Sequence, residues 1–135
     1  MKGKMETAQI LKPAVNKETG LGTGRVMSHF VFDELPHYHK LLVTTDGGMM
    51  TYPTLEQKAQ IIENTVETLK ALGYENPKIA AVAAVEKVNP KMPETVEARE
   101  LKEMNERGEI KDCVVEGPIS LDIALDKECA DIKGF

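Results

Sequence analysis

Three segments of this chain place a polar or charged residue beside glycine or proline just after an apolar run. Asp46 closes the run Leu41 to Thr45 and directly precedes Gly47-Gly48. A carboxylate there sits at the carboxyl edge of a sheet, and glycine lets the backbone approach a ligand closely. Asn89-Pro90-Lys91-Met92-Pro93 follows the next run, with two prolines fixing the backbone around Lys91. Glu116-Gly117-Pro118 follows a third. Ligand clefts of open α/β sheets form along that edge, which makes these strand ends candidate ligand contacts. Each turn residue also has an ordinary structural reason to be where it is. Asp122, just beyond, suits the first turn of a helix, where a carboxylate complements the helix dipole.

Other constellations carry weaker chemistry. Lys2-Gly3-Lys4-Met5-Glu6-Thr7-Ala8 reads as a glycine loop opening a helix, a place where free N–H groups face an anion. Thr7 would add a hydroxyl and Lys12 a charge; the plain alternative is a frayed start with a helix cap. Gly20-Leu-Gly22-Thr-Gly24 follows a helix and precedes a strand, the reverse of the order a dinucleotide loop requires. Ser28 and His29 are strand neighbours whose side chains point to opposite faces, so they do not form a nucleophile and base pair. His37 and His39 lack a third placed ligand and read as solvated surface rather than a metal site. Cys113 and Cys129 form no Cys-x-x-Cys pair and have no histidine at zinc-ligand spacing, so both read as buried small hydrophobes.

The elements that must position these residues follow from periodicity. Leu55, Ile61, Ile62, Val66, Leu69 and Leu72 recur at helical spacing over Thr54 to Leu72 and leave Glu56, Glu63, Glu67 and Lys70 outside. Thr54 with Gln57 forms a capping box, and Gly73 supplies the left-handed stop. Lys78 to Glu86 reads as a buried strand, because its seven successive apolar residues are too few for a helix. A helix over Glu94 to Arg107, a short strand at Cys113-Val114-Val115 and a helix over Leu121 to Ile132 complete the series. Upstream, Val26 to Phe32 and Leu41 to Thr45 are expected as two strands of a hairpin. Thr7 to Val15 is expected as a helix, with Pro13 tolerated only at a kink or near an end. The alternation predicts one α/β domain over residues 1–135, with a mainly parallel sheet and helices on both faces.

Composition bounds the partners. The chain has 135 residues, 41% hydrophobic and 29% charged, a balance that suits a globular domain able to bury a core without disulfides or structural metal. Seventeen Lys and Arg against 22 Asp and Glu give a net charge of −5, which provides no basic footprint for nucleic acid or an anionic membrane. The longest apolar stretch, Ile79 to Val85, is far short of the roughly 20 residues that cross a bilayer. Met1 to Glu6 lacks an apolar run behind its positive charge, so no secretory signal is expected and the cytoplasm is the expected compartment.

Several ordered strings resemble one family. Lys17-Glu-Thr-Gly20-Leu-Gly-Thr-Gly24 with Met27-Ser28-His29, then Thr45-Asp46, Tyr52-Pro53-Thr54-Leu55, Val85-Glu86-Lys-Val-Asn89-Pro-Lys91-Met-Pro93 and Val115-Glu116-Gly117-Pro118-Ile-Ser-Leu-Asp122-Ile-Ala124 resemble the phosphate acetyl/butyryltransferases. The Asn-Pro-Lys-Met-Pro string points to the butyryl branch. The resemblance covers essentially the whole chain. It implies reversible transfer of a short acyl group between CoA and phosphate, with acyl-CoA, acyl phosphate and phosphate as substrates and neither a permanently bound cofactor nor a metal. In that chemistry the CoA thiolate attacks the acyl phosphate carbonyl directly, in a cleft between two domains. Catalysis then rests on positioning, a base for the thiol and stabilisation of developing negative charge.

Carried over by residue, the resemblance puts Gly3 and Thr7 in the phosphate-side loop. Lys12 stands where relatives usually carry arginine, keeping the charge but not the bidentate fork. Ser28, Asp46, Asn89, Lys91, Gly117 and Pro118 fall at positions that line or shape the cleft. Members are longer, and the resemblance aligns this chain with the second, inserted domain of an isocitrate/isopropylmalate dehydrogenase-like fold, which also contributes the family's dimer contact. A homodimer is therefore expected. The family's Ser-Arg motif and catalytic aspartate belong to a later segment, and no Ser-Arg dipeptide occurs in these 135 residues. Two readings from other classes stand beside an acyltransferase. One is a non-catalytic binding or dimerisation module with the same fold. The other is a small hydrolase built on Asp46 or a His-x-His metal.

Overall fold

The structure is a computed structural model that describes residues 3–135. Its elements run α1 (Thr7–Ala14), β1 (Phe30–Asp33), β2 (Leu42–Thr45), α2 (Leu55–Ala71), β3 (Lys78–Val82), α3 (Pro93–Glu106), β4 (Val114–Ile119), α4 (Leu121–Leu125) and α5 (Lys127–Lys133). From β2 onward, strand and helix alternate as expected.

The best-determined element is α2. The Thr54 hydroxyl accepts from the Gln57 amide at 3.3 Å, and the Gln57 side chain accepts from the Thr54 amide at 2.9 Å, a reciprocal box that satisfies two otherwise orphaned donors. At the other end Gly73 has φ +92°, and the Tyr74 amide reaches back to the Leu69 carbonyl at 2.9 Å. That closure needs a left-handed residue, which glycine adopts at little cost. Ala59, Ile61, Ile62, Thr65, Val66 and Leu69 are buried on its inner face. Leu72, expected on that face, is instead exposed. Helix α3 begins on Pro93, whose missing N–H is harmless in a first turn.

Strands β3 and β4 are parallel, with Ile79 opposite Val115 and Val82 opposite Ile119. The register slips where Gly117 passes Ala81. A Cβ on Gly117 would lie 2.7 Å from the Ala81 Cβ, so glycine is required there. The core lies against this pair: Ala59, Ile62 and Val66 of α2, Leu101 of α3, then Ile110, Cys113 and Val115, flanked by Leu55, Ile79 and Met104. Asn105 pins the connection from α3 to β4. Its Nδ2 donates to the Ile110 and Cys113 carbonyls at 3.0 and 2.9 Å, and its Oδ1 accepts from the Val115 amide at 3.1 Å.

Several expectations shift. The α/β class holds, but the strands form two separate pairs: parallel β3–β4 and the antiparallel hairpin β1–β2. The strand expected to run to Glu86 stops at Val82, and its residues alternate between exposed and half-buried instead of being buried throughout. Ile79 faces the core, whereas Lys78, Ala80 and Val82 point to the opposite, open face. The helix expected over Leu121 to Ile132 is two helices. Asp126 takes an extended conformation between them, and its Oδ1 accepts from the Glu128 amide at 2.8 Å to start α5. Cys113 is buried, whereas Cys129 is only half-buried. Pro13 sits in the last turn of α1, a helix that buries no residue.

Candidate functional site

The candidate residues fall into three neighbourhoods. Gly3, with φ +60°, opens the segment before α1, and Thr7 and Lys12 lie exposed on that helix. Lys2 lies outside the described residues.

Ser28 and Asp46 form the second neighbourhood, where the hairpin is tied to α2. Asp46 uses its carboxylate on backbone. Oδ1 accepts from the Gly48 and Met49 amides, both at 2.9 Å, and Oδ2 accepts from the His29 amide at 3.2 Å. Burial pushes this carboxyl up, but the three N–H donors together outweigh it and hold the group below the ordinary aspartate value. The charged Asp46 thus fixes the turn that carries Gly47 and Gly48. Ser28 receives a hydrogen bond from Asn64 Nδ2 at 3.1 Å, and the same nitrogen donates to the Val26 carbonyl at 2.8 Å. Gln60 Oε1 accepts from the Val26 amide at 3.0 Å, and Arg25 pairs with Glu67. Gln60, Asn64 and Glu67 stand at i, i+4 and i+7, one polar stripe of α2. The sequence pattern put Glu67 on the outer face and assigned no role to Gln60 and Asn64; two amide side chains one turn apart were the available signal.

The third neighbourhood lies at the ends of β3 and β4. Asn89 and Glu86 line an open cleft of about 640 Å³ together with Val85, Lys87, Val88, Lys133 and Phe135. The Asn89-to-Pro93 loop is built on Thr95, which is 0% exposed. The Thr95 hydroxyl accepts from the Asn89 amide at 2.9 Å and lies 2.8 Å from the Met92 carbonyl, to which it donates. Asn89 Oδ1 in turn accepts from the Lys91 amide at 3.0 Å, leaving the Lys91 side chain exposed. Gly117 and Pro118 are buried, so they shape the strand end and present no side chain to a ligand. Two residues on, the Ser120 hydroxyl lies 2.7 Å from Glu86 Oε1 and 2.5 Å from Asp122 Oδ1, and Lys133 Nζ reaches both carboxylates at 3.0 Å. Ser120 first and Lys133 second lower both acids, Asp122 to about 2. Asp122 therefore does more than complement a helix dipole. Thr95 and Lys133 carried no motif that would have found them, and Ser120 stood unremarked within the Val115-to-Ala124 string.

Among the described residues no group of three or more His, Cys, Asp or Glu side chains is placed to hold a metal ion. No helix there is long and apolar enough to cross a membrane.

Comparison with known proteins gives consistent matches. A family model described as phosphate acetyl/butaryl transferase matches residues 1–134. The phosphate butyryltransferase of Clostridium acetobutylicum is 49% identical over 134 residues, covering 99% of this chain and 44% of that protein. The phosphate acetyltransferase of Thermotoga maritima is 45% identical over 135 residues, covering all of this chain and 46% of that protein. The crystal structure of a branched-chain phosphotransacylase from Enterococcus faecalis V583 superposes with a TM-score of 0.87 at 34% identity, over 98% of this chain and 47% of that one. The chain thus spans about half the length of the relatives it matches.

Proposed function

This chain belongs to the phosphate acetyl/butyryl transferase family, and from that premise we propose that it forms part of an acyltransferase that moves a short acyl group between CoA and inorganic phosphate. The observation that carries the reading is the family match over residues 1–134, with the candidate residues Asp46, Asn89 and Gly117 lying just after β2, after β3 and within β4. The CoA thiolate attacks the acyl phosphate carbonyl; the S–C bond forms, the C–O bond to phosphate breaks, and phosphate leaves with the electron pair. The reverse direction makes acyl phosphate from acyl-CoA. Such a reaction needs the thiolate held against the face of the carbonyl and the oxyanion stabilised as its charge develops.

In this reading the chain supplies the second-domain wall of the cleft. Gly3, Thr7 and Lys12 face the phosphate side. Ser28, Asp46, Asn89, Lys91, Gly117 and Pro118 line or shape the wall, Asp46 by fixing a turn and Gly117-Pro118 by fixing a strand end. The Ser-Arg motif and catalytic aspartate come from outside these 135 residues. The parallel β3–β4 pair is then part of a larger, mainly parallel sheet with helices on both faces, in an isocitrate/isopropylmalate dehydrogenase-like fold. CoA and phosphate are substrates, no cofactor is held permanently, and the enzyme works as a cytoplasmic homodimer.

The test is release of CoA from butyryl-CoA, with and without phosphate. It uses the 135-residue chain alone and the chain joined to the flanking segments of the Clostridium acetobutylicum enzyme. Phosphate-dependent release by the joined protein only is the expected result. A folded joined protein that binds CoA without turning it over would replace this reading with a binding module.

A further inference from the structure

Glu86, in the loop after β3, and Asp122, in α4, converge on one hydroxyl and one ammonium, those of Ser120 and Lys133. A serine hydroxyl has a single proton and satisfies one carboxylate at a time, whereas an ammonium has three donors. Lys133 is thus the group of the four that bonds both carboxylates at once. Without it, two like charges would share one hydroxyl, an arrangement that drives them apart. Lys133 belongs to α5, and it lines the same cleft as Glu86, Asn89 and Phe135.

We propose that α5 is a strap closing one side of the cleft beside Asn89, with Lys133 as its clasp. Helix α5 has no buried residue of its own, so its place depends on polar bonds and on its short connection to α4 rather than on core packing. Release of the clasp frees the 85–88 segment as well as α5, because Glu86 is held by the same two groups, while the Asn89 and Lys91 amides keep their own acceptors on Thr95 and Asn89. The strap works independently of which ligand the cleft admits, and its test does not rest on acyl transfer.

Hydrogen exchange of the intact chain reads the coupling. Lys133→Met is expected to speed exchange about five- to tenfold in residues 85–88 and 127–135 together, the range that two exposed ion pairs control. Glu86→Gln should reproduce the same pattern, and Lys133→Arg, which keeps the charge, should restore most of the protection. The buried Cys113 thiol should stay as slow to label as in the parent chain. The proposal is overturned if exchange changes in 127–135 alone. It is equally overturned if the increase spreads through α2 and α3 with Cys113 exposed, since the bonds would then hold the fold rather than a strap.

Discussion

The two halves of this molecule are held by different forces. Among the described residues, every buried side chain lies between Ala59 and Ile123; residues 3–58, which include α1 and the β1–β2 hairpin, bury none. The second half is an apolar core of α2 and α3 on β3–β4. The first half is attached through polar bonds to the stripe Gln60, Asn64 and Glu67. Burial of apolar area is large and non-directional, whereas each exposed polar bond is worth little and depends on geometry. One helix serves both purposes, with its apolar face in the core and its amide face toward the hairpin.

Two substitutions measure this difference directly. Leu101→Ala should cost about 3 kcal/mol, because it empties a packed site at 4% exposure, while Phe32→Ala at 39% exposure in β1 should cost less than about 1 kcal/mol. Urea unfolding of the two variants checks this, and equal costs would mean that the hairpin has packing partners of its own.

Thr95→Val should cost about 1–3 kcal/mol, since the valine keeps the volume but strands the Asn89 amide without its acceptor. Thr95→Ser should recover most of it. If valine is neutral, the loop does not depend on this hydroxyl.

Asn64→Ala should have a small effect on global stability, no more than about 1 kcal/mol, yet raise exchange at Val26 to Ser28 while leaving Val66 and Leu101 protected. Acid probes the same region through Asp46. Its carboxyl is held below 3.8, so its contribution is complete above that pH and is lost as pH falls through the lowered value. Asp122 behaves alike at the clasp, with its loss falling between pH 3.8 and about 2. Loss of hairpin protection at pH 5 would contradict the assignment of Asp46.

The legible parts of the fold were those whose signal is local. Thr54, Gln57 and Gly73 mark both ends of α2, and the spacing of Ile61, Ile62, Val66 and Leu69 marks its buried face. Expected α3 and the hairpin pairing hold for the same reason. The break at Asp126 was not legible, because an aspartate inside a periodic run is equally a helix residue and a cap, and the choice falls to the fold around it. Strand β3 was overextended because an alanine-rich run looks buried whether or not both of its faces are covered.

The candidate site divides along the same line. Sequence by itself determined the family, helices α2 and α3 and the segments that carry Asp46, Asn89 and Gly117, because periodicity, capping and turn chemistry act over a few residues. Tertiary structure alone decided that Asp46 is taken up by three backbone amides and that Thr95 anchors the Asn89 loop. It also decided that Asn64 reaches Ser28, 36 residues away, and that Lys133 joins Glu86 across 47. A hydrogen bond or ion pair exists only within a few ångströms and a narrow range of angles, and no spacing along a chain encodes which distant groups the packed core will bring that close.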